Sequence, residues 1–183
     1  MTFSVLVPYD PAWRDRFNAE RELLRSVLAP WLTADVEHVG STAIPGMSAK
    51  PVIDMIAGVT DLHEARDACE ALEAVDYQFR PHRPEAHLFD KPRHVGWEAH
   101  THHLHLTEPG SALWQERLTF RDALREAPAL VAEYNAWKVR HAATATGAVA
   151  PYSETKWPFV ARALQAKGLH LETDAQRLIQ PGG

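Results

Sequence analysis

Cysteine is all but absent from this 183-residue chain. Cys69 is the single example, which excludes a disulfide framework and any Cys-based zinc cluster and fits a reducing compartment. Long apolar runs are missing too. No stretch approaches the roughly 20 residues that cross a bilayer, and the start, MTFSVLVPYDPAW, lacks a basic segment followed by a long apolar one. Positive charge is in deficit: 19 Lys and Arg face 24 Asp and Glu, a net charge of −5, which argues against a protein that coats nucleic acid or anionic membrane. These absences lead us to expect a cytoplasmic chain with neither a nucleic-acid nor a membrane partner. They leave the oligomeric state open. What is present is an ordinary globular composition, 45% apolar and 23% charged, long enough for one domain with a full core. Histidine is the unusual abundance: eleven residues, most of them crowded between His82 and His105.

Periodicity predicts one α+β unit and a helical second half. Ser4–Val7 reads as a short strand, and Asp10-Pro11 opens a helix to about Trp31 with Trp13, Phe17, Leu24, Leu28 and Trp31 on one stripe. Val36–Val39 and Val52–Val59 read as strands. Asp61-x-x-Glu64 is a capping box for a helix through Val75. Tyr77–Arg80, Ala86–Asp90 and His100–Thr107 read as further strands, separated by loop rich in Pro, Arg and His. Three helices come next at about 111–126, 128–145 and 153–167. Residues 1–170 therefore form a single domain in this reading, and 171–183 a flexible tail.

The stretch EHVGSTAIPGMSAKPVIDMIAGV, Glu37–Val59, carries the chemistry. Gly40-Ser41 after a strand lets backbone N–H groups and a small hydroxyl approach a phosphate closely. Asp54 then interrupts the apolar run Val52, Ile53, Met55, Ile56, where an unpartnered carboxylate is costly. On the adjoining strand it could hold a divalent cation against the same phosphates.

This pattern resembles that of the nucleotidyltransferase superfamily related to DNA polymerase β. A closer resemblance is to the GrpB family (UPF0157), on several blocks in order: His38-Val-Gly-Ser-Thr-Ala-Ile-Pro-Gly, Ala49-Lys-Pro-Val-Ile-Asp54, His103-Leu-His-Leu, Gly110-Ser with Trp114, Phe120-Arg-Asp, Tyr134 with Lys138, and Tyr152 with Lys156. The resemblance implies a nucleotidyltransferase-like mixed β-sheet flanked by helices. Family members also occur fused to dephospho-coenzyme A kinase, which points toward coenzyme or nucleotide metabolism. One departure stands out. The superfamily places a second acid two residues beyond the first, on the same strand face, and this chain has Ile56 there.

Replacement ligands are available in His100–Thr107, HTHHLHLT, whose alternation puts His103 and His105 on one face. Asp54, His103 and His105 are the expected metal ligands, for Mg or Mn, or for Zn, Fe or Ni given the imidazoles. The competing reading makes both histidines hydrogen-bonding partners, and His38 structural or substrate-orienting. Lys50 and Lys156 join Asp54 as candidate catalytic groups, and Gly40, Ser41, Arg121, Lys138, Tyr134 and Tyr152 as the substrate-binding set, the cations converging on an anion. Arg80, Arg83, Lys91 and Arg93 read as ordinary loop charges. Three functions are compatible with this set: transfer of a nucleotidyl or phosphoryl group to a small acceptor, non-catalytic binding or regulation in coenzyme metabolism, and lyase or hydrolase chemistry on a small carboxylate. In each the partner is an anionic small molecule.

Overall fold

A five-stranded mixed sheet forms the middle layer of the molecule. The structure, a computed structural model, describes residues 6–142 and 158–169. The strands are β1 (Leu32–Val39), β2 (Ile53–Val59), β3 (Gln78–Arg83), β4 (Ala86–Lys91) and β5 (His102–Thr107), and the helices α1 (Ala12–Val27), α2 (Ala68–Glu73), α3 (Ala112–Glu126) and α4 (Pro128–Ala142). Residues 158–165 form a further helix. Strand order is β1-β2-β5-β4-β3, with β2 and β5 parallel and the other pairs antiparallel.

Local chemistry sets several of the boundaries. The Asp10 carboxylate accepts from the Ala12 N–H at 2.9 Å and starts α1. That helix ends at Val27, earlier than the stripe predicts, and a turn through Trp31 delivers the chain into β1. β1 runs longer than Val36–Val39, because two register shifts near Ala34 keep its first half paired with β2. Asp61 accepts from the N–H groups of His63 and Glu64, as a cap should, but the chain then forms a 3₁₀ turn, Glu64–Asp67, before the short α2. Val7 only bridges to Ala49.

Alternation then divides the sheet. Ile53, Met55, Ala57 and Val59 of β2 join Leu104, Leu106 and Phe89 against Trp13, Leu24, Leu28 and Leu72 in the main core. Each fully buried large side chain of this kind contributes roughly 1.5–3 kcal/mol. At the margin of this layer Glu20 of α1 accepts from the Tyr77 hydroxyl at 3.0 Å and from Lys91 at 2.8 Å. Lys91 is thus a half-buried tie, not a loop charge, because β4 continues through it.

The opposite sheet face meets α3, and α4 packs against α3 and the β1–β2 loop. A second cluster gathers Ile44, Met47, Leu124, Tyr134 and Phe159, the last two stacked at 4.6 Å. Through it the β1–β2 loop is seated on the helices. Asn135 accepts from Ser48 N at 3.0 Å and donates to the Gly46 carbonyl at 3.1 Å, fixing the same loop from α4.

Candidate functional site

Register aligns one residue per strand on the face turned toward α3. Val39 pairs with Asp54, Asp54 with His103, His103 with Asp90, and Asp90 with Gln78, so Asp54, His103 and Asp90 stand side by side across three neighbouring strands. His103 Nδ1 lies 3.0 Å from Asp54 Oδ1. Since the carboxylate accepts, Nδ1 carries the proton and the lone pair of the neutral ring is on Nε2. Nε2 faces Asp90 Oδ1 at 3.8 Å, too far for a hydrogen bond.

Asp90 is fully buried. Its Oδ2 accepts from Arg80 Nε at 3.2 Å and lies 3.7 Å from His100 Nδ1. Burial first of all holds His100 below the ordinary imidazole range, which favours the neutral, ligand-competent ring. Asp90 Oδ1, His100 Nδ1 and His103 Nε2 are all buried and none has a hydrogen-bond partner. Asp90, His100 and His103 bring ligand atoms within 4.8 Å of one another. Buried polar atoms are normally satisfied, so three orphans on residues this close make the group a candidate site for an ion.

Trp97 covers this group from outside. In a 3₁₀ turn, Trp97–Ala99, its ring stacks on His103 at 4.7 Å and meets His100 edge-on at 5.4 Å while remaining 53% exposed. Lys50 donates to the Trp97 carbonyl at 3.0 Å and its ammonium lies 5.3 Å from the ring centroid. Burial lowers the Lys50 pKa, while the Asp54, Glu98 and Asp90 carboxylates act the other way. Gly40 closes the site from the β1 side. Its φ is +70°, and a Cβ there would lie 2.4 Å from Asp54 Oδ2, so only glycine fits. Burial tends to raise the Asp54 pKa, but the hydrogen bond from His103 and the positive field of its surroundings, Arg117 included, outweigh it and the carboxyl is held below its usual value.

The structure thus brings together Gly40, Ser41, Lys50, Asp54 and His103. Lys138, 2% exposed, reaches Ser41 Oγ at 3.3 Å, also donates to the Ser48 carbonyl, and sits 4.9 Å from the Tyr134 ring centroid. Arg121 is placed elsewhere. It donates to Glu37 at 2.6 Å, to Asp122 at 2.7 Å and to the His38 carbonyl at 3.3 Å. His105 stands on the same sheet face as His103, one pleat further along beside Ile56 and Leu88, and is not in the ligand cluster. Tyr152 and Lys156 lie outside the described residues. Ile56 is fully buried against Val39, Ala86 and Leu113, so the place of the second acid is occupied by core.

Four contributors escape the sequence reading. Asp90 ends its predicted strand without a motif, His100 precedes β5 although it reads as the first residue of that strand, Trp97 falls in the irregular stretch, and Arg80 is a β3 residue orienting Asp90 instead of a loop charge. Arg93 also has a structural task, donating to the Glu73 carbonyl. The spacing His100-x-x-His103 was the available signal; its acidic partner depends on strand register.

Fold and site together define a mixed α+β protein with a polar row embedded in one sheet face. The chain belongs to the GrpB family, whose model, described as GrpB protein, matches residues 4–166. The crystal structure of GrpB from Enterococcus faecalis is similar with a TM-score of 0.78 at 25% identity, over 90% of this chain and 100% of that one. A UPF0157 protein of Deinococcus radiodurans is 36% identical over 87% of this chain and 80% of its own length. A dephospho-CoA kinase of Mycolicibacterium paratuberculosis is 32% identical over 84% of this chain, which covers 43% of that protein. The chain spans 43% to 60% of the length of several other UPF0157 relatives. No helix among the described residues is long and apolar enough to cross a membrane.

Proposed function

We propose that this protein is a metal-dependent enzyme acting on a small phosphate- or carboxylate-bearing molecule, with one transition-metal ion held by Asp90 Oδ1, His100 Nδ1 and His103 Nε2. The observation that carries this reading is the convergence of those three buried, unpartnered atoms. Two imidazoles and one carboxylate suit Zn, Fe(II), Mn or Ni better than Mg, and three protein ligands leave coordination open for a substrate. Such an ion would supply Lewis-acid polarisation of a phosphoryl or carbonyl oxygen.

The chain's own residues do the rest. Asp54 keeps the His103 proton on Nδ1 and fixes the ring; Arg80 orients Asp90 in the same way. Trp97 shields the group from bulk water, which strengthens its electrostatics. Lys50 at the rim and the Gly40-Ser41 turn receive the anionic part of the substrate. Nucleotidyl transfer by a pair of carboxylate-bridged ions is disfavoured, because Ile56 fills the second acid's place with apolar core. The dephospho-CoA kinase relative makes nucleotides and coenzyme A the first ligands to try.

Untagged protein purified without chelating resin should carry close to one Zn, Fe, Mn or Ni per chain. Asp90→Asn and His100→Gln should lose that ion, and EDTA should lower the wild-type melting temperature but not theirs. Protein that retains no ion and shows no thermal shift with any of these metals sinks the proposal. A retained ion with ligand affinity indifferent to its removal would reassign the domain to binding without catalysis.

A further inference from the structure

A cleft of about 490 Å³ opens on the far side of the Gly40–Ala43 turn, where edge strand β1 runs between α1 and α3. Its lining contains four guanidinium groups, Arg14, Arg21, Arg121 and Arg125, and one carboxylate, Glu37. That local excess of positive charge belongs to a chain whose net charge is −5. Two of the arginines are internally neutralised. Arg21 is bonded to Asp35, and Arg121 to Glu37 and Asp122.

Arg14 and Arg125 are not. Among the described residues Arg14 has no carboxylate within ion-pair distance. Arg125 spends Nε on the Ala43 carbonyl at 3.1 Å, and its nearest carboxylate, Asp122 at 4.0 Å, is already committed to Arg121 at 2.7 Å. Burial lowers the Arg125 pKa, and repulsion from Arg121 and Arg14 adds to the effect, with Asp122 and Glu37 opposing it. His38, the imidazole in the wall, adds no compensating charge. Its Nε2 donates to Thr42 Oγ1 at 3.0 Å, because that hydroxyl gives its own proton to the Val52 carbonyl at 3.1 Å, and burial pushes the His38 pKa down to about 4, so the ring is neutral at pH 7. Like charges left facing an accessible cavity cost free energy unless a ligand offsets them.

We propose that this cleft is a receptor for a small polyanion, bearing phosphate or carboxylate groups, with Arg14 and Arg125 as its principal ligands and Arg121 behind them. Guanidinium forks suit both oxyanions because each presents paired donors in a plane. The site is separate from the metal-ligand face. It is nevertheless mechanically joined to it: Arg121 grips the His38 carbonyl and Arg125 the Ala43 carbonyl, the two ends of the segment whose middle presses Gly40 onto Asp54.

Calorimetric titration at low salt with sodium pyrophosphate, and separately with citrate, tests this. Besides any uptake at the metal-ligand face, at least one of them should show a binding component that persists in Asp90→Asn, weakens tenfold or more in Arg14→Met and in Arg125→Met, and falls steeply with added salt. Pyrophosphate tighter than citrate marks a phosphorylated ligand; the reverse marks a polycarboxylate. Arg14 is an exposed α1 residue, so that variant remains informative if loss of the Arg125–Ala43 tie impairs folding. Binding abolished entirely by Asp90→Asn, a persisting component that survives Arg14→Met, or no binding of either anion by the wild type overturns the proposal. The metal reading stands or falls independently, on the Asp90 and His100 variants.

Discussion

The two faces of β2 and β5 are built from alternate residues of the same two strands, and they obey different rules. One presents Ile53, Met55, Ala57, Leu104 and Leu106 to α1 and α2, where burial alone is enough. The other presents Asp54, Ile56, His103 and His105, so polar groups stand within two residues of a fully buried isoleucine. An apolar face tolerates rearrangement as long as volume is conserved. On the polar face each group depends on a specific partner. Asp54 has His103, Asp90 has Arg80, and where partners run out at Asp90 Oδ1, His100 Nδ1 and His103 Nε2 the face becomes a candidate site.

The sharpest way to break this contrast is Ile56→Asp, which installs the acid that the nucleotidyltransferase pattern calls for. Packed against Val39, Ala86 and Leu113, the new carboxylate should cost at least about 4 kcal/mol of folding stability. Ile56→Val should cost only about 0.5–1.5 kcal/mol. Urea unfolding of both measures the difference. A stable Ile56→Asp protein that gains Mg affinity would mean that the pocket is a nucleotidyltransferase centre one residue short, and that the apolar patch is incidental.

The contrast also governs what could be read in the sequence. The apolar face was legible, because period-two and period-3.6 patterns report which residues seek the core, and β2, β4 and α3 fall close to their predicted ranges, whereas α1 ends early and the helix after Asp61 shrinks to the short α2. Asp54 and His103 were legible as exceptions to such a pattern. Asp90 was not, since one acid ending the run Ala86–Asp90 looks like an ordinary strand terminus. Only the antiparallel register of β4 with β5, a long-range property, sets it against His103. His100 was misdirected, because the predicted strand His100–Thr107 alternates it onto the face opposite His103, whereas β5 begins only at His102; Trp97 was hidden because it lies in non-repeating chain before β5, where no periodicity reports side-chain direction. The expected gathering of cations failed to foresee Arg121 because its partner Glu37 lies 84 positions away.

A second contrast is between two histidines. His103 stands on the polar face, whereas His38 stands on the core face of β1, stacked on Phe17 at 4.6 Å and 6% exposed. Burial, with smaller contributions from Arg125 and Arg121 and opposed by Asp54, pushes its pKa down to about 4. Its folded pKa therefore lies below the unfolded value of about 6.5. Between those values the unfolded chain takes up a proton that the native one refuses, so stability falls as pH falls. The contribution is complete above about pH 6.5, is lost on reaching about pH 4, and amounts to about 3 kcal/mol. His38→Gln keeps a donor for Thr42 and removes the titration. Denaturation at pH 7 and pH 4.5 should show the wild type losing about 2–3 kcal/mol more than the variant over that interval. Equal acid sensitivity would show that His38 is not kept neutral by its burial.

The smallest expected effect on folding falls on the most conspicuous residue, Asp54, and there the contrast is sharpest. A buried carboxylate that neutralised a lysine would strand that charge on removal and cost about 3–5 kcal/mol. Among the described residues, however, His103 is the only positively ionisable side chain within ion-pair distance of Asp54, and Lys50 bonds to the Trp97 carbonyl. Asn retains an oxygen that can still accept from His103 Nδ1, so Asp54→Asn should change stability by no more than about 1 kcal/mol. What it removes is the negative charge that holds the His103 tautomer, with the lone pair on Nε2. Loss of such a carboxylate partner weakens metal affinity by about 10- to 100-fold. Competition with a calibrated chelator, beside urea unfolding of the same two metal-free proteins, separates the effects. Unchanged stability with weakened metal binding places Asp54 as the residue that positions His103. A loss of several kcal/mol with metal binding intact would make it part of the scaffold, and the polar face would differ from the apolar one in composition alone.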